Sequence, residues 1–126
     1  MLRMVDAYER GMQVRREVLG DEYVDQTLSA TTDFDRDFQT WITTTAWGGV
    51  WDRPGLDRRT RSLLTVALLA GLGREELAVH LPAAIRNGVT STEIGEVLMQ
   101  VAVYAGVPAA NQAFKLAKAL LEEPGP

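Results

Sequence analysis

The sequence contains no cysteine and only one histidine, His80. Without cysteine the chain forms no disulfide, thiolate nucleophile, iron–sulfur cluster or cysteine-based zinc site. A lone imidazole also argues against a transition-metal site built from protein ligands. The glycine-rich phosphate loop, the dinucleotide fingerprint and the metalloprotease helix motif are missing as well. We therefore expect acid–base or electrostatic catalysis with no cofactor and no metal, or binding alone.

Long apolar runs and an excess of basic charge are also lacking. No run reaches the roughly 20 residues that cross a bilayer, and charged sequence follows the N-terminal methionine where a signal peptide would place its apolar core. The net charge of -4 argues against general nucleic-acid binding. We expect a soluble cytoplasmic protein with no membrane or nucleic-acid partner, folded as a single domain over residues 1–126.

No segment alternates apolar and polar residues convincingly, so the sequence predicts an all-α fold. Glycines that follow apolar periodic segments mark the expected helix ends. One or two further helices are expected before residue 43, broken near residues 31–33. The other predicted helices span residues 8–19, 58–72 and 75–86, a segment from Thr90 to Tyr104, and a last segment that opens near Pro108.

Local signals refine these boundaries. Asp21 and Asp57 are placed to cap the helices that follow them, and Thr90 with Glu93 forms a capping-box pattern. Gly48 and Gly49 predict a loop around Trp51.

His80 is the first candidate for chemistry. Glu76 precedes it by one helical turn, so a carboxylate on the same face is expected to bias the imidazole toward its protonated form. A protonated histidine binds an anion, donates a proton or stabilises an enolate oxygen. The same spacing is equally compatible with an ordinary surface or core histidine. Pro82 lies in the same helix, where it either kinks the chain or is tolerated in the first turns.

An arginine-rich stretch precedes that helix. Arg53, Arg58, Arg59 and Arg61 offer planar donors suited to carboxylates, and Arg86 follows His80 by six residues. Arg58 and Arg61 share a helix face, whereas Arg59 points elsewhere. Each arginine alone is also compatible with a solvated side chain or a surface ion pair.

Two tryptophans, Trp47 and Trp51, lie just before the arginines. They are candidates for the wall of a pocket that takes an anionic, unsaturated ligand, although tryptophan is more often a buried anchor.

Five fragments, in this order and spacing, give the chain a resemblance to the gamma-carboxymuconolactone decarboxylase family over nearly its whole length. The fragments are Tyr8-Glu9-Arg10-Gly11-Met12, Arg15-Arg16-Glu17-Val18-Leu19-Gly20, residues 47–61, His80 with Ala83-Ala84 and Arg86-Asn87-Gly88-Val89, and Tyr104-Ala105-Gly106-Val107-Pro108-Ala109-Ala110-Asn111.

The resemblance implies an all-helical fold shared with alkyl hydroperoxidase D. Redox members of that superfamily carry a Cys-x-x-Cys-x-x-x-His motif, and aligning its histidine with His80 places Gly73 and Glu76 at the two cysteine positions. The chain therefore cannot perform the superfamily's disulfide chemistry.

The implied activity is the decarboxylation of 4-carboxymuconolactone to the enol-lactone of 3-oxoadipate, a carboxy-lyase step of protocatechuate catabolism in the beta-ketoadipate pathway. His80, oriented by Glu76, would deliver the proton or contact the oxyanion. Arg61, supported by Arg58 or Arg53, would hold the retained carboxylate. Arg86 is a further substrate-binding candidate.

The resemblance also implies a homo-oligomer, a hexamer or a trimer, acting on a small dicarboxylate lactone. The departing carboxylate would sit against Trp47 or Trp51, where desolvation favours its release as carbon dioxide. Two alternatives stay open: a non-catalytic oligomeric domain that binds a small aromatic or lactone acid, and a related decarboxylase or isomerase with another lactone substrate.

Overall fold

The computed structural model describes residues 4–121. Within them the chain is all-helical and contains no strand, which confirms the predicted fold class. The helices are α1 (Met4–Leu19), α2 (Asp21–Ala30), α3 (Arg36–Ile42), a π-helix (Thr43–Trp51), α4 (Arg58–Leu72), α5 (Leu77–Arg86), α6 (Ser91–Tyr104) and α7 (Val107–Leu121).

The described part of the chain divides into two compact units, an N-terminal unit that ends at Asp57 and a C-terminal unit that begins at Arg58. Each unit has its own cluster of buried apolar side chains. A single domain over residues 1–126 stays a prediction. Across residues 4–121, none of the helices combines the length and the apolar character that a membrane span needs.

The core of the N-terminal unit forms where α1 packs against the π-helix, and two glycines make this contact possible. A Cβ atom at Gly11 would lie 2.0 Å from the carbonyl oxygen of Thr43, and one at Gly48 would lie 2.3 Å from the carbonyl oxygen of Ala7. The two backbones therefore touch without intervening side chains, and only glycine fits at either position.

The loop predicted at Gly48 and Gly49 is wrong, because both residues belong to the π-helix. Three consecutive threonines begin this helix, and their hydroxyls donate to the carbonyls four residues earlier, at 2.6–2.9 Å. These side-chain bonds satisfy carbonyls of the preceding turn while the backbone widens. Gly48 then lets the widened helix lie directly on α1. The loop is shorter than predicted and covers only residues 52–57.

The turn between α1 and α2 is a single residue. Gly20 adopts a positive φ of 93°, which ends α1 as predicted. Asp21, however, is the first residue of α2 and not its cap, so that prediction is wrong. Its carboxylate instead pairs with Arg16 at 3.2 Å. The break expected near residues 31–33 is confirmed between α2 and α3.

In the C-terminal unit the predicted helix signals are largely confirmed. The bounds of α4 match the prediction, and α6 ends at Tyr104 as expected. The capping box is present, with Glu93 N donating to Thr90 Oγ1 at 3.1 Å and Thr90 N donating to Glu93 Oε1 at 3.0 Å. Positive φ angles at Gly73, Gly88 and Gly106 end α4, α5 and α6. The predicted start of α5 is two residues too early, because its first helical residue is Leu77.

Candidate active site

The candidate residues are distributed over both units. Trp47, Trp51 and Arg53 belong to the N-terminal unit, on the π-helix and the loop that follows it. The C-terminal unit carries the other five: Arg58, Arg61, Glu76, His80 and Arg86.

His80 lies on α5 between the buried residues Leu77, Leu81 and Ala84. Its side chain is half-buried, and this burial lowers the pKa of the imidazole, while the carboxylate of Glu76 raises it by less. The predicted bias toward the protonated form is therefore wrong, because desolvation outweighs the nearby charge. His80 is neutral at neutral pH and offers one N–H donor and one acceptor nitrogen.

Glu76 immediately precedes α5, and its side chain is exposed. Its carbonyl oxygen accepts hydrogen bonds from the backbone N–H groups of Val79 (3.0 Å) and His80 (3.1 Å). Glu76 thus acts on His80 at the open end of the helix, where water screens its carboxylate. This location explains why its effect on the pKa is the smaller one.

The C-terminal end of α5 is bound to α4 by a residue that the sequence analysis did not single out as a site residue. The side-chain amide of Asn87 donates to Ser62 Oγ at 3.2 Å and to the carbonyl oxygen of Ala83 at 2.8 Å. Ser62 is buried and directly follows Arg61. This bond sets the position of α4 at Arg61 relative to the helix that carries His80. Pro82 is the sixth residue of α5, so it lies within the helix and beyond its first turn.

The arginines differ in their surroundings. Arg58 and Arg61 lie one turn apart on α4, and both are half-buried. Arg59, which the sequence placed on another face, forms an ion pair with Glu93. Arg53 and Arg86 are exposed. Arg58 and Arg61 therefore present two guanidinium groups on one helix face, and both groups are partly shielded from water. Such shielding strengthens an ionic contact with a carboxylate.

Trp47 is 6% exposed and packs with Val14 and Val18 in the core of the N-terminal unit. Its indole ring stacks on Trp51 with ring centroids 5.1 Å apart. Trp47 is thus a buried anchor, which was one of the two roles that the sequence left open for the tryptophans. Trp51 is half-buried.

Arg15 is a buried charged residue that the sequence analysis missed as a candidate. It is 5% exposed, and burial lowers the pKa of its guanidinium. Nη1 donates to Thr43 Oγ1 at 3.1 Å, and Nη2 donates to Gln39 Oε1 at 3.0 Å. Gly11, Val14 and Val18 define a buried stripe along α1, and position 15 falls on the same stripe at helical spacing. This spacing was the signal from which the burial of Arg15 could have been predicted.

Within residues 4–121, no group of three or more histidine, cysteine, aspartate or glutamate side chains is placed to hold a metal ion. Three grooves of the C-terminal unit, of about 630, 690 and 190 Å³, are lined by residues other than His80 and the candidate arginines.

Comparison with known proteins identifies relatives of the chain. A 4-carboxymuconolactone decarboxylase of Acinetobacter baylyi is 48% identical over 119 residues, covering 94% of this chain and 89% of the relative. A nitrosuccinic acid decarboxylase of Metarhizium robertsii is 49% identical over 107 residues, covering 84% of this chain and 75% of the relative. A Pseudomonas putida protein, also named 4-carboxymuconolactone decarboxylase, is 54% identical over 41 residues, covering 32% of this chain and 85% of the relative.

The family model described as "Carboxymuconolactone decarboxylase family" matches residues 36–119. This match includes the π-helix, the arginine-rich stretch and His80. The relative from Acinetobacter baylyi, which aligns with nearly the whole chain, indicates the same family. The chain belongs to the carboxymuconolactone decarboxylase family.

Proposed function

We propose that this protein is a carboxy-lyase that decarboxylates 4-carboxymuconolactone to the enol-lactone of 3-oxoadipate. The observation that carries the proposal is the alignment of 94% of the chain with a relative of that name at 48% identity. A second relative with the same name supports it. The half-buried histidine and paired arginines of the C-terminal unit provide groups suited to this substrate.

The substrate supplies its own electron sink. When the carbon–carbon bond to the departing carboxylate breaks, its electron pair moves through the ring double bond onto the lactone carbonyl oxygen. A proton then adds to the carbon next to that carbonyl, so one carbon dioxide leaves and one proton is taken up. The protein has to hold the retained carboxylate, stabilise the developing oxyanion and desolvate the departing carboxylate.

His80 is suited to the oxyanion. Because burial lowers its pKa, the free enzyme at neutral pH presents a neutral imidazole, whose N–H donates a hydrogen bond to the lactone oxygen as negative charge develops there. The proton that enters the ring carbon then comes from water. Glu76 orients His80 from the open end of α5.

Arg61 holds the retained carboxylate, with Arg58 one turn away on the same face of α4. Bidentate contact between a guanidinium and a carboxylate supplies both energy and orientation. Arg86, which is exposed, assists as a weaker substrate contact in the same unit. Arg53 and the stacked pair Trp47 and Trp51 belong to the N-terminal unit, and their part in substrate binding stays a prediction.

Nitrosuccinic acid is a second candidate substrate, because the relative named for its decarboxylation is as similar in identity as the first. Both compounds are dicarboxylic acids in which an electron-withdrawing group, a conjugated lactone carbonyl or a nitro group, accepts the electrons released with carbon dioxide. The same arginine and histidine groups would serve either reaction. The longer alignment and the second relative of the same name favour the lactone.

The test follows both acids with the purified protein in deuterated water. For 4-carboxymuconolactone generated in situ, we expect fast carbon dioxide release and deuterium at the carbon next to the lactone carbonyl in the NMR spectrum. Faster turnover of nitrosuccinic acid would reassign the substrate. Saturable binding of the lactone with no acceleration over a protein-free control would instead identify a non-catalytic binding domain.

We further propose an alkyl hydroperoxidase D-like fold, a cytoplasmic location and a homo-oligomer, a trimer or a hexamer, in the beta-ketoadipate pathway. The support for the oligomer is an apolar groove of about 690 Å³ formed by α4 and α6. Leu68 and Leu72 on its wall are each 63% exposed, and contiguous apolar surface of this kind is typical of subunit contacts.

A further inference from the structure

The N-terminal unit contains a cavity of about 250 Å³ with a polar wall. Its lining residues are Tyr8, Leu28, Thr31, Arg36, Gln39, Thr40 and Thr43. Hydroxyl, phenol, amide and guanidinium groups contribute to this lining, and Leu28 is its one apolar residue. The volume is below the roughly 300–1,000 Å³ typical of sites for drug-sized ligands, so the cavity suits a small molecule.

A buried cation lies directly behind this wall. The guanidinium of Arg15 donates to the side chains of Gln39 and Thr43, both of which line the cavity. Its Nε is buried and has no hydrogen-bond partner among the described residues. A buried polar group normally has a hydrogen-bond partner, and a buried donor without one destabilises the folded protein.

The positive charge of Arg15 is also uncompensated by protein carboxylates in the part of the chain that the structure describes. Among the described residues its side-chain acceptors are a neutral hydroxyl and a neutral amide, and the side chains that influence it electrostatically are the phenols of Tyr23 and Tyr8. Arg36, the other cation at the cavity, already forms an ion pair with Asp33. The excess is therefore one positive charge, and a buried charge without a counter-charge is costly.

We infer that this cavity is a binding site for a small monocarboxylate, held by the hydroxyl and amide groups of its wall and balanced in charge by Arg15. One carboxylate neutralises one guanidinium, whereas a phosphate group would bring up to two negative charges. The short chain of the ligand lies against Leu28. This site belongs to the N-terminal unit and goes beyond the proposed decarboxylase function.

Butyrate is the probe for the first test, titrated by calorimetry at constant ionic strength set with sodium chloride. We expect saturable binding of one butyrate per chain to the wild-type protein. Thr40→Val, which removes a hydroxyl from the wall, weakens binding by about fivefold, as expected for one lost hydrogen bond. Thr45→Val is the matched control, since Thr45 lies outside the cavity lining, and it leaves the affinity within about twofold of the wild type.

Arg15→Gln removes the charge and should abolish butyrate binding. If circular dichroism shows that this variant does not fold, the NMR signal of the Arg15 Nε–H group in the wild type replaces it, and this signal should shift on addition of butyrate. No binding, equal losses in Thr40→Val and Thr45→Val, or tighter binding of inorganic phosphate would each overturn the inference.

Arg61→Gln separates this site from the proposed decarboxylase site. The Arg15 signal should still shift with butyrate in that variant, and loss of the shift would refute a separate site. Calorimetry measures binding and requires no turnover. The butyrate result can therefore be interpreted even if the protein does not perform the proposed decarboxylation.

Discussion

Gly11→Ala is expected to destabilise the protein strongly, because it adds a methyl group between two backbones. The new Cβ would lie 2.0 Å from the carbonyl oxygen of Thr43 and 2.8 Å from the backbone nitrogen of Gly48. Ordinary contact begins at 3.4 Å, so α1 and the π-helix would have to separate by roughly 1.4 Å, the difference between 3.4 and 2.0 Å. Backbone atoms cannot rotate away as a side-chain end can.

The expected magnitude is the difference of two effects. Overpacking at a rigid contact costs about 3 kcal/mol, the upper end of the usual range. Replacing glycine by alanine inside a helix returns roughly 0.5–1 kcal/mol. The net loss is about 2 kcal/mol, which corresponds to a fall in Tm of about 8 °C at roughly 4 °C per kcal/mol for a chain of this size.

The assay is thermal unfolding followed by circular dichroism at matched protein concentration, since association shifts the Tm. Gly95→Ala is the control, because a Cβ there meets nothing within 4 Å in the middle of α6. This control should raise the Tm by about 2–4 °C through helix propensity alone. A Gly11→Ala protein whose Tm stays within about 2 °C of the wild type would refute the direct backbone contact between α1 and the π-helix.

Three further predictions concern the chemistry and the assembly. His80→Ala should lower the turnover of 4-carboxymuconolactone by about 10²–10³-fold, the range for a lost oxyanion donor, with unchanged helicity; near-normal turnover would remove His80 from the mechanism. Since the folded-state pKa of His80 is lowered, the unfolded chain binds its proton first as the pH falls below about 6.5, so the free energy of unfolding should decrease there by at most about 1.4 kcal/mol per pH unit. The decrease should be smaller in His80→Gln. If urea unfolding gave free energies that fall equally with pH in the wild type and in His80→Gln, the prediction would be contradicted. Leu68→Glu should dissociate the oligomer in light scattering while Leu120→Glu, outside the α4–α6 groove, should not; equal masses would place the interface elsewhere.

Much of the helical architecture could be predicted because its signals are local. A glycine at positive φ, a threonine followed three residues later by glutamate, and a proline in a first turn act through neighbours in the chain. The end of α1 at Gly20, the bounds of α4 and the capping box at Thr90 were therefore correct. The family resemblance was also visible in the sequence, since it rests on the order and spacing of fragments.

One error and one omission concern residues whose role depends on distant partners. Gly48 looked like a loop residue, but the backbone of α1 at Ala7 lies where its side chain would be, so it is required inside a helix. Arg15 was not singled out as a candidate, because its partners, the side chains of Gln39 and Thr43, lie far from it in the sequence.

Residue types and their local spacing were enough to predict the all-α class, most helix ends, the absence of thiol chemistry and the family. The protonation of His80, by contrast, depends on how the chain packs. Spacing placed a carboxylate one turn away and predicted a raised pKa, whereas the folded chain buries the imidazole and lowers it. Desolvation depends on everything that packs around a group, and residues far apart in the sequence supply that packing.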